Sequence, residues 1–204
     1  MMDASKIQLS AEEMKLVQNG EWILTKNRVI AKVYAMFGDL AAGMQTYISG
    51  NSDLLPENVI ASTAKISKGE QYEGLPYVML DYPRCFGKQE VVAVRTFFWW
   101  GNYFSLTLHL KGKFLDQLYD GICNNLETLA ENQFYVSRSD NEWAHEIHED
   151  TYTPLNKEGI QLIKMSKSEN GFVKLVCKWP LEKANAVHEL LEEQYAKLLK
   201  IIAG

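Results

Sequence analysis

Trp143-Ala144-His145-Glu146-Ile147-His148-Glu149 is the one place in the chain where imidazoles and carboxylates gather. Divalent metals favour those ligands. Zincin-type sites space two histidines four residues apart on a helix, whereas His145 and His148 are three apart. On a helix that spacing still leaves both on one side, and on a strand it sends them to opposite faces. Ser139 and Glu142 have capping-box spacing, so a helix over 139–149 is one reading. No third ligand is evident nearby except Asp150. His145, His148 and Glu149 are therefore the metal candidates, and a metal-dependent hydrolase is the alternative function. A metal site needs a complete ligand set and supported ligands, so a solvated polar segment is the favoured reading here.

Cys85, in Asp81-Tyr82-Pro83-Arg84-Cys85-Phe86, is the candidate reactive thiol, because Arg84 next to it would favour the thiolate. A nucleophile also needs a base, and His109, His145 and His148 are the available imidazoles. The default is a half-buried, inert cysteine. Cys123, in a helix, and Cys177, in a strand, read as packing residues. No zinc-type C-x-x-C pair occurs, and neither the phosphate-loop nor the dinucleotide glycine pattern is present. The sequence thus specifies no cofactor and no reaction.

A third set of residues belongs to Glu90–Lys111, EVVAVRTFFWWGNYFSLTLHLK, read as two strands joined at Gly101-Asn102. Both turn residues tolerate positive φ. A two-residue loop opposes Trp100 with Tyr103, Phe98 with Ser105, Thr96 with Thr107 and Val94 with His109. The other face then carries Trp99 with Phe104, Phe97 with Leu106, Arg95 with Leu108 and Ala93 with Leu110. Opposed residues share a face, so the second set is assigned to the core. The first set is too apolar for open solvent, and a helix, a partner chain or a ligand is expected to cover it. A slip of one residue would exchange the faces. Arg95 is the exception in the core set; it either reaches water along its stem or binds an anion in a cavity.

These elements must be held by a core, and the chain can build one: 204 residues with 47% apolar composition suit a single domain. A capping box at Ser10 and Glu13 starts a helix that stops near Asn19-Gly20. A long helix is predicted from about Glu21 to Ile48 on Ile23, Ile30, Val33, Phe37, Leu40, Met44 and Tyr47. Residues 49–73 read as irregular, with a short element near Asn58–Lys65. A short strand follows at Tyr77–Tyr82, ended by Pro83. Lys113–Glu131 reads as an amphipathic helix and Gln133–Arg138 as a strand. Gly159–Ser166 and Gly171–Trp179 read as strands joined around Ser168-Glu169-Asn170. Pro180 opens a last helix reaching about Ile202. Hairpins outnumber β-α-β units, so the fold class is α+β: an antiparallel sheet of five to six strands with helices on one face.

A net charge of −5 and a pI of about 5.5 argue against a nucleic-acid partner. The N-terminal stretch MMDASKIQLSAEEMK has no apolar leader, no window is apolar enough for a membrane span, and the three cysteines are odd in number. Together these predict a cytoplasmic protein with free thiols. Tyr72-x-x-Leu75-Pro76-Tyr77, followed by the Trp/Phe-rich strand pair, resembles the bacterial YktB-like family, in which a similar Leu-Pro turn leads into an aromatic strand. The likeness spans about 40 residues. It implies an α+β fold, no assigned activity and no transferable site residues. The leading expectation is a binding module for a small apolar ligand or a protein partner, with a homodimer as one form of it. Its surface would be Phe98, Trp100, Tyr103 and His109, with Arg95 as a candidate anion contact.

Overall fold

The computed structural model describes residues 7–167 and 171–203; the turn expected at Ser168-Glu169-Asn170 lies outside them. In chain order the elements are α1 (Ala11–Gln18), α2 (Gly20–Ser49), α3 (Glu57–Ile60), β1 (Lys65–Tyr72), β2 (Leu75–Phe86), β3 (Val91–Trp99) and β4 (Tyr103–Lys111). Next come α4 (Lys113–Asn124), α5 (Leu126–Glu131), β5 (Tyr135–Ser137), β6 (Tyr152–Pro154), α6 (Lys157–Ser166), β7 (Phe172–Pro180), a 3-10 turn (Leu181–Lys183) and α7 (Val187–Ala203). The strands form one sheet in the order β1-β2-β3-β4-β7-β5-β6, antiparallel at every pairing. The α+β class holds, with seven strands rather than five to six. No helix among the described residues is long and apolar enough to cross a membrane.

Helices cover one face of this sheet. The stripe Ile30, Val33, Phe37, Leu40, Met44 and Ile48 of α2 joins Phe114, Leu118 and Ile122 of α4 and Leu191, Tyr195 and Leu198 of α7. They bury Val92, Val94, Phe98, Phe104, Leu106, Leu108, Leu110, Val173 and Leu175 of the central strands. Strand alternation places these residues on a single face, and three- and four-residue spacing does the same on each helix.

The register of the central hairpin differs from the sequence expectation by one residue. Trp99 pairs with Tyr103 and Phe98 with Phe104, leaving Trp100-Gly101-Asn102 as a three-residue loop. The Trp100 N–H donates to the Pro76 carbonyl (3.0 Å), the next rung of the β2–β3 ladder, and Asn102 N–H closes the turn on the Trp99 carbonyl (3.0 Å). Gly101 takes the positive φ (73°) that such a loop requires. The β4 side chains keep their expected faces, while those of β3 exchange. Phe98 goes to the helix-side core; Arg95, Phe97 and Trp99 join Tyr103 and His109 on the other face.

Other elements also depart from expectation. β1 forms where residues 49–73 read as irregular, because its polar residues need only an edge of the sheet. β2 runs through Pro83 to Phe86, with an irregular register between Asp81 and Arg84. Gly159–Ser166 is helical rather than a strand: Asn156 Oδ1 accepts from the Glu158 and Gly159 amides (3.0 and 3.1 Å), a capped start that a strand does not use. Asn125 divides the expected helix over 113–131 into α4 and α5. Pro180 ends β7 instead of opening α7.

Candidate functional site

The second face of the sheet is covered by residues 138–151 of the same chain, an irregular segment rather than a helix or a partner. Two tyrosine hydroxyls pin it. Tyr103 Oη donates to the His145 carbonyl and accepts from the Ile147 amide (both 3.0 Å), and Tyr72 Oη accepts from the His145 amide (2.9 Å). Beneath the pinned stretch, Phe97, Trp99, Tyr103, Ile147, Tyr152 and Val176 form a small second core. The aromatic patch expected to receive an external ligand is therefore occupied internally.

Beside that apolar cluster lies a polar one. Arg95 donates to both oxygens of Asp81, from Nε to Oδ1 (2.6 Å) and from Nη2 to Oδ2 (3.0 Å). Its Nη1 meets His145 Nε2 at 2.8 Å. A guanidinium only donates, so His145 Nε2 carries no proton. Burial, then the charges of Arg95 and Lys174, push the His145 pKa down to about 2. His109 is pushed down to about 4, by burial first and Lys174 second, against an opposing pull from Glu142. Its 3.1 Å contact with Glu142 Oε2 is thus a hydrogen bond from a neutral ring rather than an ion pair. Lys111 Nζ supplies the other Glu142 oxygen (2.7 Å).

Lys174 stands at the back of this cluster, 2% exposed on β7. Its ammonium donates to the Ala144 carbonyl of the cover. Burial, reinforced by Arg95, lowers its pKa from 10.5 to about 7. The cluster thus contains three cations (Arg95, Lys111, Lys174) and two carboxylates (Asp81, Glu142), with both rings neutral. With Lys174 protonated, it carries an excess charge of +1. A small pocket of about 10 Å³, room for one water-sized sphere, lies between Phe86, Arg95, Thr107, His109, Glu142, His145 and Lys174. Glu142 also lines a surface cleft of about 390 Å³ with Lys111, Arg138 and Phe172. Over the small pocket, the exposed Phe86 and Trp143 rings approach to 5.9 Å.

Among the residues singled out from sequence, Arg95, Tyr103, His109 and His145 are brought together. Phe98 is on the opposite side of the sheet, and Trp100 packs half-buried against the helix-side core. His145 and His148 do not form a pair: His145 faces Arg95, while His148 is exposed in a turn where its amide donates to Thr151 Oγ1 (3.0 Å). Glu149 is exposed beside it. Among the described residues no group of three His, Cys, Asp or Glu side chains could hold a metal ion. Cys85 packs against the helix-side core, across the sheet from His109 and His145, so neither can serve it as a base. Arg84 is turned away, donating through Nε to the Thr63 carbonyl (3.0 Å).

Asp81, Lys111, Glu142 and Lys174 complete the cluster and were not singled out from the sequence. Lys174 did leave a signal, since it interrupts Phe172-Val173-Lys174-Leu175-Val176, a run otherwise suited to a central strand. No family model, curated protein or solved structure matches the chain.

Proposed function

We propose that this protein is a binding module for a small carboxylate-bearing ligand with an apolar or aromatic body. The site is the Arg95–His109–Lys174 cluster, and the Glu142 side chain serves as the built-in placeholder. The observation that carries this reading is the surplus buried cation. Lys174 sits behind His109 and Lys111, whose donors already converge on a carboxylate of the covering segment. A charge is buried at such cost only when something repays it, and an anionic ligand would do so. Phe86 and Trp143 at the mouth would take the apolar body, and the adjoining cleft falls in the size range of small-ligand pockets.

The test is calorimetric titration with benzoate, acetate and benzamide, with fluorescence of Trp143 as a second signal. Benzoate is expected to bind, acetate more weakly, and benzamide not at all. Glu142→Gln should tighten benzoate binding by removing the competing carboxylate, and Lys174→Met should abolish it. Because Lys174 titrates near 7 in the free protein, the dissociation constant should rise about tenfold per pH unit above that value. Equal binding of benzoate and benzamide, or undiminished binding by Lys174→Met, would refute the proposal.

A further inference from the structure

Every residue from Ile7 to Thr25 is exposed, and α1 buries no side chain at all. Burial along α2 begins only at Ile30. Residues 7–25 are therefore an arm that projects from the body, bent once at Asn19, whose side chain caps α2 by accepting from the Trp22 amide (3.2 Å). The arm is well specified as a helix, since Ser10 and Glu13 make a reciprocal capping box at its start (3.2 and 2.7 Å). Its composition is wrong for solvent. Of the twelve large apolar side chains exposed among the described residues, eight lie here: Ile7, Leu9, Met14, Leu16, Val17, Trp22, Ile23 and Leu24. The chain exposes 11801 Å², whereas a compact monomer of 23.3 kDa exposes about 9,700 Å².

We infer that the arm is a dimerisation element whose occupant is the arm of a second copy, packed antiparallel about a twofold axis near Asn19-Gly20. Two arguments select that occupant. The first is charge. The tip carries Glu12 and Glu13 against Lys15, and the root carries Lys26, Arg28 and Lys32 against Glu21. An antiparallel pair sets each acidic tip beside the partner's basic root and opposes the helix dipoles; a parallel pair would set like charge against like. Of the intrachain pairs at the root, Arg28–Glu21 is exposed and exchanges at little cost, whereas Lys26, largely buried, stays on Glu70. Within the arm, residues 7–25, three acids (Glu12, Glu13, Glu21) outnumber the one base, Lys15, so it lacks the cationic excess of a helix that lies on anionic lipid.

The second argument is area. Eight half-exposed side chains of this kind offer about 400 Å² of apolar surface. Since interfaces are only a little more than half apolar, this corresponds to about 700 Å² per copy, near the roughly 800 Å² of a standard stable interface.

Sedimentation velocity on the full chain tests the inference. The wild type should sediment as a dimer at micromolar concentration. Val17→Glu with Ile23→Glu should raise the dissociation constant at least a hundredfold with an unchanged circular dichroism spectrum, because both positions are exposed. Glu12→Lys and Arg28→Glu should each weaken the dimer several-fold, and the two together should restore it. A wild type that stays monomeric at about 100 μM, well above the range of a standard interface, overturns the inference. So does a dimer indifferent to the Val17/Ile23 pair, a charge-reversal pair that fails to rescue, or a monomer that pellets with phosphatidylserine vesicles.

Discussion

Replacing the buried lysine should make the protein more stable while abolishing its proposed binding. Lowering an amine pKa from 10.5 to about 7 corresponds to about 5 kcal/mol of unfavourable charge burial at neutral pH. Lys174→Met keeps the length and most of the volume of the side chain and removes that charge. It also gives up the hydrogen bond to the Ala144 carbonyl, a loss of about 2 kcal/mol. The net expectation is a gain of about 3 kcal/mol, or roughly 6–12 °C in Tm for a chain of this size. The pH dependence makes the test sharper. Below pH 7 Lys174 is protonated in both states and the wild type bears the full penalty. Between 7 and 10.5 the unfolded chain holds the proton and the folded chain does not, so the penalty falls by about 1.4 kcal/mol per pH unit; the advantage of the variant should reach zero at about pH 9, where the remaining penalty matches the lost hydrogen bond, and reverse above that. Urea unfolding of both proteins at pH 6, 8 and 10 measures the difference directly. A variant less stable than the wild type at pH 6, or a difference constant over these pH values, would refute the assignment of Lys174 as a poorly compensated buried cation.

Two further substitutions probe the two faces of the sheet. Tyr103→Phe removes the hydroxyl that serves both the His145 carbonyl and the Ile147 amide; it should cost about 1–3 kcal/mol and speed hydrogen exchange at Ile147 more than at Leu106. Gly121→Ala should destabilise by about 1–3 kcal/mol in a thermal melt, because a Cβ there would sit 2.5 Å from the Ile202 carbonyl oxygen of α7, a backbone atom that cannot step aside.

The helix-facing half of the protein was legible from the sequence because each of its elements carries its own periodic signal. The α2 stripe from Ile30 to Met44 and the alternation Phe104, Leu106, Leu108, Leu110 identify their buried faces without knowledge of any neighbour. The β3 face was misassigned because the loop has three residues rather than two: Trp100 N–H bonds to Pro76, continuing the β2–β3 ladder, and Tyr103 pairs with Trp99, which shifts the register by one. Glycine followed by asparagine is compatible with loops of two or three residues, so turn chemistry alone does not choose. Residues 138–151 were less legible still. They have no periodicity; local bonds from Ser139, Asn141 and Thr151 shape their turns, and their placement on the sheet is held by hydroxyls of Tyr72 and Tyr103, which are distant in sequence. The His145–His148 spacing suggested a shared ligand set only on the assumption of a local helix, and the long-range bonds override that assumption.

The two sides of the sheet are built for different purposes, and the difference is energetic. The helix side is apolar across its central strands apart from the buried Thr96, and exposing it would unfold the protein. The other side is sealed by a segment that contributes one fully buried apolar residue, Ile147, worth about 1.5–3 kcal/mol, and a set of hydrogen bonds worth about 1 kcal/mol each. Lifting residues 142–147 therefore costs far less than global unfolding, as expected of the low-stability units from which binding elements are drawn. Two of the bonds lost on lifting are those from His109 and Lys111 to Glu142. An incoming carboxylate re-forms these two and gives Lys174 a charged partner in place of the neutral Ala144 carbonyl that lifting removes. The ligand thus interacts better with the opened cluster than Glu142 does with the closed one. That differential interaction is what a ligand needs in order to shift a conformational equilibrium.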